Sequence, residues 1–261
     1  MPAGVAYDRT MTVVLLHGNP ETPIIWEPLL AELGRTDVVT PQLPGFGCPV
    51  PDGFDSTKES YAGWFTGVIE TLAAQHGPVD FVGHDWGGGI GMRVVSQRPE
   101  LFRTWATDVL GLFHPDYVWH DFAKIWQTPG AGEQYFEQNA AAPAAERVAL
   151  LEMIGIPRAT GERLVAAGDE TMATSVLALY RSATQPAMAA WGAELGPVAT
   201  LPGLAITAPA DPFVSGEDLG AQVATRLGAL QHVLEGQGHW WMLGDPAGGA
   251  AMLREFWAGA Y

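Results

Sequence analysis

One short stretch, residues 78–89 (PVDFVGHDWGGG), constrains this chain more than any other. The apolar run at residues 79–82 is typical of a buried strand, and the helical pattern of residues 90–98 ends before Pro99. Between them, glycines stand two positions before and two positions after Asp85, which suits a strand-to-helix turn with no room for side chains. Such a turn lifts Asp85 above the edge of a sheet and points a helix N-terminus at its carboxylate.

The residue at the apex of this turn determines its chemistry. Serine is the usual nucleophile of the G-x-S-x-G turn, whereas this chain carries an aspartate. A carboxylate can displace a leaving group at a saturated carbon and form an alkyl ester, which a histidine-activated water then hydrolyses. Taken alone, the motif is equally compatible with an acidic N-cap on a helix that follows a glycine-rich turn.

The composition narrows the class of partner. The 261 residues carry a formal net charge of −16, which argues against nucleic acid and against anionic membranes. A solvated acidic surface accounts for this charge without any partner. Cys48 is the only cysteine, and the chain has neither a secretory-type start nor 18 consecutive apolar residues. We therefore expect a soluble cytoplasmic protein with no intramolecular disulfide.

Strands and helices alternate along most of the chain. Strands are predicted at residues 13–16, 38–40, 79–82, 104–108, 204–207 and 232–234, with helices between them. This order predicts a three-layer α/β fold with a mostly parallel sheet. The alternation stops at residues 111–196, which are aromatic and helical, so we expect a helical cap there, inserted between core segments 1–110 and 197–261.

Three polar residues follow predicted strands in a meaningful order. Asp85, Asp211 and His239 stand in the order nucleophile, acid and base, and the carboxyl ends of parallel strands meet at one edge of a sheet. In this arrangement His239 would deprotonate the hydrolytic water, and Asp211 would orient the imidazole and stabilise its charged form. Each residue alone has an ordinary structural explanation, but the set favours catalysis.

Four motifs together resemble the α/β-hydrolase superfamily, in the branch of epoxide hydrolases and haloalkane dehalogenases. They are HGNP at 17–20, GHDWGG at 83–88, Asp211 and GHW at 238–240. The resemblance implies the cap after the family's sixth strand and an oxyanion hole formed by the backbone N–H groups of Asn19 and Trp86. Family members usually have two more strands ahead of the one at Val13, so we expect a sheet trimmed at that edge.

The resemblance leaves the triad acid open between two residues. Asp108 ends a predicted strand 23 residues after the nucleophile, where some dehalogenases carry their acid. Asp211 is favoured because Asp-Pro after its strand matches the epoxide-hydrolase pattern. Asp108 would then be a supporting or cap-facing carboxylate.

The leaving group is the second open question. Epoxide hydrolases use cap tyrosines to donate a proton to the opening ring, and Tyr180 lies in a segment that resembles one of these. The other tyrosine's place is held by Phe122, so Tyr117, His120 or Tyr135 could substitute, or Tyr180 could act alone. Dehalogenases bind the halide with groups that match Asn19 and Trp86.

These comparisons favour an epoxide hydrolase over a haloalkane dehalogenase, with a non-enzymatic receptor on the same fold as the third hypothesis. The expected ligand is a small apolar or weakly polar molecule. No metal-ligand spacing, dinucleotide motif or phosphate loop is present in the sequence, so neither a metal nor a cofactor is predicted. The oligomeric state stays open.

Overall fold

A computed structural model describes residues 12–214 and 217–259. Six strands form one sheet in the order β2-β1-β3-β4-β5-β6. The strands are β1 (Val13–Leu16), β2 (Val38–Val39), β3 (Val79–Gly83), β4 (Phe102–Thr107), β5 (Gly203–Thr207) and β6 (Leu230–Val233). Every neighbouring pair in this order is parallel, which confirms the predicted α/β class.

Alternate strand residues bury opposite faces of the sheet, as the period of two requires. Val14 and Leu16 of β1 pack into one apolar cluster, and Val13 and Leu15 pack into another. The first face is covered by α2 (Lys58–His76), α3 (Trp86–Gln97) and α10 (Glu217–Arg226). The second face is covered by α1 (Glu27–Leu33), α11 (Trp241–Gly244) and α12 (Pro246–Trp257). The fold therefore has three layers.

A run of helices separates β4 from β5, and we call it the helical insertion. It contains α4 (Asp121–Gln127), α5 (Ala131–Ala141), α6 (Ala144–Met153), α7 (Arg158–Ala167), α8 (Glu170–Ser182) and α9 (Ala187–Ala193). The domain boundaries expected at residues 111 and 196 fall within the 3-10 helices Leu110–Phe113 and Gly196–Thr200. Helix α8 contacts α2 of the core as well as α4 and α5.

Helix α3 begins earlier than the sequence pattern predicts. It starts at Trp86, directly after Asp85, whereas the apolar periodicity begins only at Ile90. The glycines at 87–89 have low helix propensity and no side chains that could show an apolar periodicity. The periodicity therefore does not predict the first turn of the helix. Helix α2 has Thr57 as its N-cap, with the Thr57 hydroxyl accepting from the Ser60 N–H.

Two further expectations concern the sheet edge ahead of Val13 and membrane-spanning helices. The trimmed sheet edge expected ahead of Val13 falls on residues 1–11, which lie outside the described residues. Within the described ranges, none of the helices combines the length and the apolar character needed to span a bilayer.

The first turn of α3 packs its backbone directly against β1. A Cβ on Gly87 would lie 2.1 Å from the Leu16 carbonyl oxygen, whereas a Cβ on Gly89 would meet Leu112 at an ordinary 3.5 Å. Any side chain at 87 would therefore push the helix away from the strand that carries the 17–20 loop.

We expect Gly87→Ala to lower the free energy of unfolding by about 2 kcal/mol or more, because neither backbone can yield without displacing the other. The control Gly89→Ala should be neutral or stabilising by up to about 1 kcal/mol, since alanine favours helix. Urea unfolding followed by far-UV circular dichroism measures both. Equal stabilities for the two variants would contradict the close approach at Gly87.

Candidate active site

Asp85 stands at the junction of β3 and α3 in a backbone conformation that side chains rarely adopt. Its φ is 49° and its ψ is −123°. The Asn19 N–H donates to Asp85 Oδ1 at 2.9 Å, and the neighbouring Trp86 backbone N–H favours the charged carboxylate and so lowers its pKa, against the larger effect of burial. One of the two N–H groups predicted to form an oxyanion hole thus donates to the predicted nucleophile.

The loop that carries Asn19 is held in place by a neutral histidine. His17 Nε2 accepts from the Leu43 N–H at 3.1 Å, and its Nδ1 lies 3.0 Å from the Gly18 carbonyl oxygen, so the proton sits on Nδ1. Complete burial lowers the pKa of His17 to about 4, against the opposing charge of Glu21. The imidazole therefore acts as a fixed bridge between the loop and residue 43.

His239 and Asp211 form a hydrogen-bonded pair beside Asp85. His239 Nδ1 lies 2.7 Å from Asp211 Oδ2, and the Phe213 N–H donates to Asp211 Oδ1 at 2.7 Å. Burial and the charge of His84 oppose protonation of His239, but its bond to Asp211 and the charges of Asp211 and Asp85 outweigh them, so its pKa is raised. Burial raises the pKa of Asp85.

Asp108, the alternative acid, has different partners. Its Oδ2 lies 2.5 Å from His84 Nδ1 and accepts from the Trp241 indole at 2.9 Å. Its Oδ1 accepts from the Asp85 backbone N–H at 2.9 Å. Asp108 therefore braces the turn at Asp85, and the hydrogen bond to His239 belongs to Asp211.

Glu21 and His84 lie beneath the site, and the sequence predicts no role for either. His84 Nε2 is 3.1 Å from Glu21 Oε1, and Glu21 also accepts from the Gly18 N–H and the Trp240 indole. Burial opposes charge on both residues, but the His84 charge lowers the pKa of Glu21 to about 2, and Asp108 with Glu21 raises that of His84 well above 6.5. His84 lies within the GHDWGG motif, and Glu21 directly follows the HGNP motif. A polar side chain in a segment that becomes buried is the sequence signal that could have identified them.

Tyr180 reaches the same site from helix α8 of the helical insertion. Its hydroxyl oxygen accepts from Asn19 Nδ2 at 3.4 Å. The side chain is buried, and its ring packs edge-on against Trp86 at 5.4 Å between centroids. Burial and the charge of Asp85 raise its pKa well above 10, so the hydroxyl keeps its proton.

A cavity of about 20 Å³ adjoins Asp85. Its lining is mostly aromatic and apolar: Asp85, Trp86, Val109, Leu112, Tyr117, Trp119, His120, Phe213 and His239. Tyr117, His120 and Tyr135 were the three candidates to replace the missing cap tyrosine. Tyr117 and His120 lie on the wall of the cavity. Tyr135 packs instead against Phe122, Trp126 and Phe136. Phe122 is 40% exposed and does not reach the cavity.

His120 is held in one tautomer on this wall. Its Nδ1 accepts from the Ala123 N–H at 3.2 Å at the start of α4, which leaves the proton on Nε2. Burial and the charge of His239 lower its pKa to about 4. His120 is therefore a neutral N–H donor at neutral pH.

A sequence profile for the alpha/beta hydrolase family matches residues 13–252. The chain belongs to the alpha/beta hydrolase family. This membership confirms the resemblance inferred from the four motifs, and it agrees with the six-stranded parallel sheet.

The similar proteins include a haloalkane dehalogenase and an epoxide hydrolase. A haloalkane dehalogenase of Psychrobacter cryohalolentis is 33% identical over 95 residues, 34% of this chain and 30% of that protein. Epoxide hydrolase srdG of Neurospora crassa is 31% identical over 99 residues, 36% of this chain and 29% of that protein. The matched segments thus span less than a third of either relative.

The fold extends further than these sequence matches. The solved haloalkane dehalogenase DbeA-M1 loop variant of Bradyrhizobium elkanii superposes with a TM-score of 0.74 at 20% identity, covering 96% of this chain and 91% of that chain. At this identity the likeness describes the architecture alone.

Asp211 is hydrogen-bonded to His239 and Asp108 to His84, so the two carboxylates should affect ester hydrolysis differently. With a substrate that forms an ester, Asp211→Asn should slow ester hydrolysis by about 10³-fold or more, because the imidazolium that forms on His239 loses its counter-charge. A general base works only when neutral, and losing Asp211 lowers the pKa of His239, so the acidic limb of the pH profile should move to lower pH. Single-turnover kinetics resolve this step.

The matched variant is Asp108→Asn, which keeps the volume of the side chain. It should slow ester hydrolysis less than Asp211→Asn and leave the pH profile closer to that of the wild type. If Asp108→Asn has the larger effect on hydrolysis in a folded protein, the acid is Asp108.

Proposed function

We propose that this chain is a cofactor-independent hydrolase that opens an epoxide to a diol through an ester on Asp85. The observation that carries this proposal is the hydrogen bond from the Asn19 amide to the Tyr180 hydroxyl, with the Trp86 ring packed beside it. The expected substrate is a compact, apolar or weakly polar epoxide, because the cavity is small and its lining mostly aromatic.

The hydrogen-bond directions at Tyr180 favour a leaving oxygen. An amide N–H group can only donate, so the tyrosine oxygen accepts from Asn19, and its own hydrogen remains available for another partner. An epoxide oxygen needs such a donor as the ring opens. A halide, in contrast, would need the Asn19 amide that Tyr180 already engages.

The first chemical step forms the ester. One oxygen of the Asp85 carboxylate attacks a ring carbon while the ring C–O bond breaks, and its electron pair goes to the epoxide oxygen, which takes the proton of Tyr180. The N–H of Asn19 holds the other carboxylate oxygen during this attack. Tyr117 and His120 are the candidates for a second donor, and His120 offers its Nε2–H in neutral form.

The second step consumes water. His239 takes a proton from a water that adds to the ester carbonyl of Asp85, and Asp211 stabilises the imidazolium. The oxyanion that develops on Asp85 would lie against the N–H groups of Asn19 and Trp86. Collapse breaks the acyl C–O bond, and the departing ester oxygen takes the proton held by His239 to become the second hydroxyl of the diol. The other proton of the water passes from the regenerated Asp85 carboxyl to the Tyr180 phenolate.

A haloalkane dehalogenase is the second candidate, because Asn19 and Trp86 occupy the positions of halide donors and a relative carries that name. It would require the Asn19 amide to release Tyr180. A non-enzymatic receptor is the third candidate and makes no use of Asp211 and His239. Action in the cytoplasm stays a prediction from the single cysteine.

We expect His239→Gln to trap the ester, because the base that activates water is lost while the nucleophile is intact. Intact-mass spectrometry after incubation with a terminal epoxide should show the mass of the whole epoxide added at Asp85, located by peptide mapping. A bromoalkane offered separately tests the dehalogenase alternative, which predicts addition of the alkyl group with loss of bromide. Modification at another residue, or of Asp85→Asn to the same extent, would contradict the proposed nucleophile.

We expect Tyr180→Phe to slow ester formation from epoxides by about 10²-fold or more, since the proton donor is lost while the ring still packs. Ester formation from a bromoalkane, which leaves unprotonated, should change little. Tyr135→Phe is the matched control because Tyr135 does not line the cavity. Equal slowing with both substrates would assign Tyr180 to packing alone.

A further inference from the structure

We propose that Glu21, His84 and His239 form a binding site for a divalent transition-metal ion such as Zn²⁺, and that the bound ion stops ester hydrolysis without stopping ester formation. The kinetic half of this inference rests on the proposed function. The binding half rests on geometry alone and is tested without any substrate.

The three side chains present one ligand atom each within a sphere that suits a metal ion. These atoms lie within 4.8 Å of one another, and His84 Nε2 is 3.1 Å from Glu21 Oε1. Ligand atoms around tetrahedral zinc are roughly 3.3 Å apart, so only the His239 imidazole needs a small shift. Two imidazoles and one carboxylate are a set that zinc prefers, with the fourth position left to water.

The second observation is what holds the other nitrogen of each imidazole. His84 Nδ1 lies 2.5 Å from Asp108 Oδ2, and His239 Nδ1 lies 2.7 Å from Asp211 Oδ2. A carboxylate that accepts from the distal nitrogen is the usual outer partner of a metal-bound histidine, because it fixes the tautomer and makes the free nitrogen a better ligand. Both histidines therefore present Nε2.

The charge of the site suits a cation. Glu21 and Asp108 are buried carboxylates in contact with one imidazole, His84, so they share a single compensating proton. A metal ion would replace the proton between His84 Nε2 and Glu21 Oε1, and that proton would pass to solvent. The cavity has room for a water-sized occupant and includes His239 on its wall, so an ion would enter from the His239 side of the ligand set.

The consequence for the reaction follows from which residues are ligands. A metal on His239 Nε2 occupies the lone pair that would take the proton of the hydrolytic water. Asp85 is outside the ligand set, so its attack on an epoxide continues. A metal-loaded wild-type enzyme should therefore accumulate the ester, as His239→Gln does.

Binding is tested on the metal-free full chain by calorimetric titration with zinc sulfate and by zinc X-ray absorption. The expected result is one ion per chain with nitrogen and oxygen ligands that include two imidazoles. Glu21→Gln should weaken binding at least tenfold, and His239→Gln, which leaves the buried network below it intact, should do the same. His76→Gln is the control, because His76 is an exposed imidazole at the end of α2. Unchanged affinity in folded His239→Gln would overturn the site.

Inhibition is tested by intact mass of the wild type with a terminal epoxide and zinc, followed by a chelator. Ester should accumulate at Asp85 and disappear when the chelator is added. Zinc that binds as above while turnover continues or rises would overturn the inhibitory role. If His239→Gln forms no ester without metal, the proposed function fails, and the calorimetric result still decides whether the metal site exists.

Discussion

The turn at Asp85 is the constraint on which the rest of the structure depends. The residue is held at a φ of 49° where only His84 and Asp85 separate the end of β3 from the start of α3. Asp108 accepts from the Asp85 N–H, while the N–H of Asn19 donates to the side chain. A strained residue persists only where its surroundings determine it several times over, and this one has partners that follow two other strands, β4 and β1.

Support for this turn comes from charges that are far from water. Glu21, His84 and Asp108 are a carboxylate, an imidazole and a carboxylate in direct contact, closed by the indoles of Trp240 and Trp241. Isolated buried charges cost several kcal/mol each, so the arrangement is tolerable only because nearly every lone pair has a donor. Removing one member leaves the others uncompensated, which makes the network rigid and specific.

The sequence predicts the strands and the residues that follow them, because both depend on local patterns of apolar and polar residues. Strand ends carry Asp85, Asp211 and His239, and parallel strands bring their carboxyl ends together. It could not predict the length of α3, where glycines conceal the helix, or choose between Asp211 and Asp108, which follow strands equally well. It also missed Glu21 and His84, because contacts across 63 residues leave no periodic trace.

The proton donor Tyr180 and the nucleophile Asp85 of the proposed reaction belong to separate parts of the chain. Tyr180 is carried by α8 of the helical insertion, whereas Asn19, which donates to its hydroxyl, belongs to the core. The sheet alone therefore holds a nucleophile and a base with no proton from Tyr180 for the departing oxygen. Assembly of the epoxide-opening machinery thus depends on how α8 docks on the core, so the insertion supplies chemistry as well as cover.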